Sequence, residues 1–260
     1  MKEHCGKNSD SAENPDISSG LGNLGKTVYL EEREEEAFSR LQRLIVRLGV
    51  VVPAVFDVGA NVGQSVEKFR QAWPGAEIHS FEPNPSPFST LSGKWGNTPG
   101  IVLNNVALSD FNGTSPFHAT RISEVASLLS PTERMRRISV EHKYDYEVIS
   151  VHTETLDNYC RALNCKKIDI LKIDVQGAEL NVLRGARSLL QRGMISAIYV
   201  ETTFAACYEG QANYSGLMSY LGRFSYELWD ISPFLYTSRD RLWAANSIFL
   251  SKTASESLEI

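Results

Sequence analysis

Four stretches of this chain hold residues whose types and spacing suit chemistry. The first is Asp57-Val-Gly59-Ala60-Asn61-Val-Gly63-Gln64, which follows the apolar run AVFDV (54–58). Gly59 and Gly63 carry no Cβ, so the backbone there can come very close to a ligand. A helix that starts after such a turn offers free N–H groups to an anionic group. The second is Glu82, 19 residues beyond Gly63, at the end of AEIHSF (76–81). A carboxylate at that position can accept hydrogen bonds from both hydroxyls of a ribose. Turn and carboxylate together point to a ligand that carries a nucleoside. The third and fourth are Asp174, ending IDILKID (168–174), and Glu201, in SAIYVET (196–202). Open α/β sheets bind ligands at the carboxyl ends of their strands. Asp174 is therefore the best candidate to orient or deprotonate a reacting hydroxyl. Its alternative role is to cap the helix that begins near Ala178. Glu201 is a second polar group for the same cleft, and Glu179 serves either there or in a structural ion pair.

Two nucleoside ligands fit these parts. The dinucleotide fingerprint is Gly-x-Gly-x-x-Gly, and its second glycine makes room for a pyrophosphate. Asn61 occupies that place here. S-adenosylmethionine has no pyrophosphate, and its cationic amino-acid end suits Asp57 better than a phosphate does. Transfer of its methyl group is an in-line displacement, so an enzyme must align the nucleophile and, for an alcohol, remove a proton late. The five histidines read as solvated or core residues. The carboxylates form no recognisable metal-ligand motif, so no metal is expected.

Around these stretches the chain alternates strand-like and helix-like segments. Phe38, Leu41, Leu44, Ile45 and Leu48 recur at helical spacing within an N-terminal helix placed at 27–49. Glutamates at 31, 32 and 34–36 crowd its start and Arg40, Arg43 and Arg47 its end, as the helix dipole favours. Strands are predicted at 54–58, 76–81, 101–108, 147–153, 168–174 and 196–202, with helices at 64–73, 85–95, 178–190 and near 213–222. Such alternation argues for a mostly parallel sheet with helices on both faces. Two last strands, near 225–231 and 242–250, suggest a closing antiparallel hairpin. Residues 109–146 break the pattern, with turn signals at Asn112-Gly113 and Ser130-Pro131. Within this irregular insertion, 120–145 are expected to form a mobile lid or an acceptor wall.

Composition bounds the function. Hydrophobic residues make up 42% and charged residues 22%, the proportions of an ordinary globular chain. A net charge of −5 supplies no footprint for a phosphate backbone, so nucleic acid is not the expected partner. Residues 1–26, rich in Gly, Ser, Asn and Asp, read as a disordered tail without an apolar leader segment. The longest apolar run, 48–56, is interrupted by Pro53 and is far short of a membrane span. Four scattered cysteines make a poor disulfide framework. These features predict a cytoplasmic protein, and leave its oligomeric state open.

VFDVGANVGQ, SFEPNP, NVALSD, Thr155-Leu-Asp157 and above all IDILKIDVQGAELNVLRGA (168–186) resemble the FkbM-type methyltransferases. So do YEGQANYSGLMSYLGRFSYELWDISP (208–233) and Asn246-Ser-Ile-Phe, and the resemblance spans roughly residues 50–250. It implies a Rossmann-like, seven-stranded class I methyltransferase domain over 27–252. It also implies S-adenosylmethionine held by Asp57, Gly59, Ala60, Asn61, Gly63 and Glu82, with Asn105, Val106 and Ala107 near the adenine. Many members O-methylate sugars, polyketides or other natural products, so the implied acceptor is a hydroxyl on a small molecule or glycan. N-methylation, or a catalytically inactive module that binds S-adenosylmethionine, are the alternatives. The chain departs from the family at Gln176, where Glu is commoner, and at Asn246, where Asp is.

Overall fold

The computed structural model describes residues 35–138, 145–236 and 242–259, with the backbone alone at 137 and 138. The expected tail, the glutamates at 31, 32 and 34, and part of the expected lid lie outside the described residues.

The first helix, α1 (35–47), buries Leu41, Leu44 and Ile45 of the predicted stripe together with Ala37, while Phe38 and Leu48 are half-buried. Alternating elements follow: β1 (Ala54–Val58), α2 (Gln64–Ala72), β2 (Glu77–Phe81), α3 (Pro85–Trp95) and β3 (Ile101–Asn104). Next come β4 (Ala107–Leu108), β5 (Gly113–Thr120), a 3₁₀ turn at Ser123–Val125, α4 (Glu133–Ile138) and β6 (Tyr146–Glu154). Then α5 (Leu156–Ala162), β7 (Ile168–Ile173), α6 (Glu179–Gly185), α7 (Arg187–Gln191) and β8 (Ile195–Thr203). The described chain ends with α8 (Tyr214–Gly222), β9 (Tyr226–Tyr236), β10 (Leu242–Ser251) and α9 (Lys252–Glu256).

Seven strands form one sheet in the order β3-β2-β1-β7-β8-β10-β9. β10 runs antiparallel to β8 and β9, which is the expected closing hairpin, while the pairs from β3 to β8 are parallel. Side chains alternate across this sheet. Val55, Ile170, Ala197 and Tyr199 meet α1, α2, α3 and α9 on one face. Phe56, Leu171, Ile198 and Val200 meet α5 to α8 on the other. Helices on both faces explain why these strands read as nearly continuous apolar runs.

Three expectations change. The run 101–108 is two strands in two sheets. Asn104 donates its side-chain amide to the carbonyl of Ser80, and Asn105 donates to those of Glu82 and Pro83, so the chain turns off the main sheet between them. The predicted helix 178–190 is interrupted at Ala186. The Asp157 carboxylate accepts from the backbone N–H groups of Ser188 (2.8 Å) and Leu189 (3.0 Å), satisfying the donors that a second helix start exposes. The insertion is more regular than expected, because β5 is the edge strand of a three-stranded sheet ordered β4-β6-β5. Only Phe117 of β5 is buried, so no alternation marks it, and Pro116 suits an edge strand.

Candidate active site

The carboxyl ends of β1, β2, β7 and β8, with β10 beside them, open onto a cleft of about 470 Å³. At its floor the turn after β1 crosses the loop after β7. Gly59 adopts φ +82, and a Cβ there would lie 1.8 Å from the backbone oxygen of Asp174. No other residue fits, so the two loops touch through backbone alone. The Asp174 N–H donates to the Val58 carbonyl (3.0 Å), which fixes their spacing. Gly63 has another reason to be glycine: its Cβ would collide with Leu91 and Trp95 of α3.

Glu82 faces the cleft from the end of β2. Its Oε2 accepts from the Asn61 N–H (3.0 Å) and its Oε1 from the Asn84 N–H (2.7 Å). Each carboxylate oxygen has a second acceptor site, so these bonds orient Glu82 without exhausting it. Burial pushes its pKa to about 7, against the pull of the two N–H donors. Val106, Ala107 and Leu108 add an apolar wall, joined by Phe117, Ala126 and Leu128. The wall segment is bonded into the body. Ser123 Oγ donates to Asn61 Oδ1 (3.0 Å), Ser127 Oγ to the Gln176 carbonyl (2.8 Å), and Tyr208 Oη to the Val125 carbonyl (2.9 Å).

At the other end period-2 placement gathers the polar groups. Asp57 is the register neighbour of Lys172, Lys172 of Tyr199, and Glu201 of Asn246. Ile170-x-Lys172-x-Asp174 and Ala197-x-Tyr199-x-Glu201 therefore send successive alternate residues to one face. Lys172 Nζ lies 3.1 Å from Asp57 Oδ1 and 3.8 Å from Asp174 Oδ2, and donates to the Gly59 carbonyl (3.3 Å). Burial works against the ammonium, but Asp57 and Asp174 outweigh it and hold its pKa above the ordinary value. Gln176 Nε2 lies 2.9 Å from both Asp174 Oδ1 and Glu201 Oε2. Burial, then the charges of Asp174 and Glu179, push the Glu201 carboxyl well above the usual range.

The residues expected to bind a cofactor divide by position. Gly59, Ala60, Asn61, Glu82, Val106 and Ala107 line the cleft. Gly63 and Asn105 shape its turns from behind. Asp57 is fully buried; it pairs with Lys172 and accepts from Ser65 Oγ, so it anchors the turn instead of facing the cleft. Both expected catalytic carboxylates, Asp174 and Glu201, line the cleft. Asp174 is not the cap of α6. That helix is N-capped by Ala178, and Glu179 turns back to accept from the N–H groups of Gly177 (2.9 Å) and Val175 (3.3 Å). No histidine among the described residues lines the cleft. Lys172 was overlooked as a site residue, although a lysine inside so apolar a run was a signal. Phe38, Tyr199 and Trp243, which no local motif marks, also line the cleft, as does Asn246.

The cleft can hold a nucleoside at Glu82 and bring a second molecule to Asp174 and Glu201. Residues 57–228 match the family described as Methyltransferase FkbM domain. The 2-O-methyltransferase NoeI of Sinorhizobium fredii is 30% identical over 178 residues, covering 66% of this chain and 72% of that protein. Hexuronic acid methyltransferase AglP of Haloferax volcanii is 27% identical over 150 residues, covering 57% of this chain and 56% of that protein. Among solved structures, Methyltransferase FkbM from Methylobacillus flagellatus KT overlaps 76% of this chain and 43% of its own, at 13% identity and TM-score 0.49. The matched family span runs from Asp57 past Glu201, and so takes in the glycine turn, Glu82, Asp174 and Glu201. The chain belongs to the FkbM methyltransferase family.

Proposed function

We propose that the protein is an S-adenosylmethionine-dependent O-methyltransferase acting on a hydroxyl of a sugar, a glycan or a related natural product. The observation that carries this reading is the division of one cleft into two chemistries. Glu82, the Gly59 turn and the 106–108 wall suit a nucleoside. Asp174, Glu201 and Asn246 lie beside Tyr199 and Trp243, which suits a hydroxylated ring. The name of NoeI supports transfer to an oxygen, and that of AglP supports a sugar acid as acceptor. S-adenosylmethionine, when bound, supplies a methyl group on a positively charged sulfur.

Asp174 holds the acceptor hydroxyl and takes its proton as the new O–C bond forms. Lys172 and Gln176 keep its carboxylate aimed. Glu201, whose carboxyl burial pushes well above the usual range, holds a neighbouring acceptor oxygen. The acidic cleft also favours a cationic sulfur over an anionic ligand. The reaction takes place in the cytoplasm on this reading, in accord with free thiols at Cys160, Cys165 and Cys207. Among the described residues no helix is long and apolar enough to cross a membrane.

The test is transfer of labelled methyl from S-adenosylmethionine to a panel of neutral methyl hexosides, hexuronides and primary amines. Label is expected in an ether on a hexoside or hexuronide. Asp174→Asn should bind S-adenosylhomocysteine as the wild type does while turnover falls by roughly 10² to 10⁴-fold, the usual share of a general base. Transfer to amines alone, or a wild-type rate in Asp174→Asn, would overturn the assignment.

A further inference from the structure

Gln176 is held in an unusual conformation with both hydrogens of its side-chain amide engaged. Its φ is +55 and that of Gly177 is +97, so two successive left-handed residues fold the loop back over the ends of β7 and β8. A left-handed glutamine costs free energy that a glycine or asparagine would largely avoid. The Ser127 hydroxyl fastens its carbonyl (2.8 Å), and Tyr208 Oη faces its Oε1 (3.4 Å). Its Nε2 then has two hydrogens for two carboxylates, Asp174 Oδ1 and Glu201 Oε2, each at 2.9 Å. The reversed amide would set its oxygen against both acids, so the network itself fixes the orientation.

We infer that Gln176 is a positioning residue whose amide bridges Asp174 and Glu201, holding the two carboxyls side by side at the acceptor end of the cleft. Two carboxyls this close repel when both ionise. Lys172 of β7 relieves Asp174, and Asp57 of β1 lies behind that lysine. Glu179 of α6 adds further negative potential at Glu201, and from β10 the residue opposite Glu201 is the neutral Asn246. The amide donates to both acids without adding charge, so it sets the distance between them. A carboxylate at 176 would remove both donors and add a third acid.

The inference rests on the methyl-transfer reading for what the two acids face, and its test separates the two. Two variants isolate the amide from the backbone. Gln176→Asn suits the left-handed conformation but is one methylene too short to span both acids. Gln176→Met keeps the length and loses the donors. Each is compared with wild type as the S-adenosylhomocysteine complex, by calorimetry and by infrared titration of the protonated carboxyl band. Glu201→Gln identifies the band by removing it. Affinity for S-adenosylhomocysteine should stay within about twofold, while the band titrates on the order of one pH unit higher in both variants, because donors to the ionised form are gone. A band that titrates as in wild type, with binding intact, overturns the bridging role. Wild-type protein that does not bind S-adenosylhomocysteine overturns the methyl-transfer reading instead.

Discussion

Gly59→Ala tests the contact on which the whole cleft depends. In the folded chain the new Cβ would lie 1.8 Å from the Asp174 oxygen and 2.9 Å from its carbonyl carbon. An ordinary carbon–oxygen contact is about 3.3 Å, so the two loops must part by about 1.5 Å. That movement breaks the bond from the Asp174 N–H to the Val58 carbonyl and loosens the one from Lys172 to Gly59. Leaving such buried groups unpaired costs about 1–3 kcal/mol each. The left-handed φ of +82 adds about 1 kcal/mol for alanine. The expected loss is about 3–5 kcal/mol, enough to unfold a marginal domain. Gly193→Ala is the control, since it shares a positive φ (+60) but has nothing within 4 Å of the new Cβ. It should cost at most about 1 kcal/mol, because the stiffer unfolded chain offsets part of the strain. Urea unfolding followed by tryptophan fluorescence measures both. If Gly59→Ala falls within about 1 kcal/mol of Gly193→Ala, the loops are not in contact and the argument for Asp174's position collapses.

Protonation supplies the remaining predictions. Burial pushes the Glu82 pKa up to about 7, and on the proposed reading ribose hydroxyls would donate to its ionised form, so affinity for S-adenosylhomocysteine should rise between pH 6 and 8 with release of a proton. Calorimetry in two buffers of different ionisation enthalpy reads that proton, and Glu82→Gln should abolish the slope; a slope that survives moves the titration elsewhere. Glu179 is also raised to about 7 by burial, so the unfolded chain gives up its proton first as pH climbs from about 4.5. Stability is therefore lost between about pH 4.5 and 7 and stays low above it. Glu179→Gln keeps an acceptor for Gly177 and Val175 without the charge. It should match wild type at pH 4.5 and exceed it by up to roughly 3 kcal/mol at pH 8, and equal urea midpoints at pH 8 would contradict the shift.

Much of this architecture was legible in one dimension because the central strands β1, β2, β7 and β8 bury both faces and lead into the turns that carry the site. Apolar runs marked β1, β2, β7 and β8, and the carboxylates at their ends marked the sheet edge where ligands collect. Glu82, Asp174 and Glu201 could be named that way, since strand ends in a parallel sheet converge wherever the helices go. Other features depended on partners far away in sequence. β5 has one buried residue, so its strand exists only through pairing with β6. The break between α6 and α7 needs the Asp157 carboxylate, about thirty residues earlier. Asp57 read as a ligand contact, but register sets it beside Lys172, and the buried ion pair turns it into an anchor. Gln176 read only as a departure from a family pattern. Its two-carboxylate contact requires a left-handed loop that brings β7 and β8 under one side chain. Residue type and period placed each group on a strand and a face. Which groups pair was decided by distances that only the packed sheet creates.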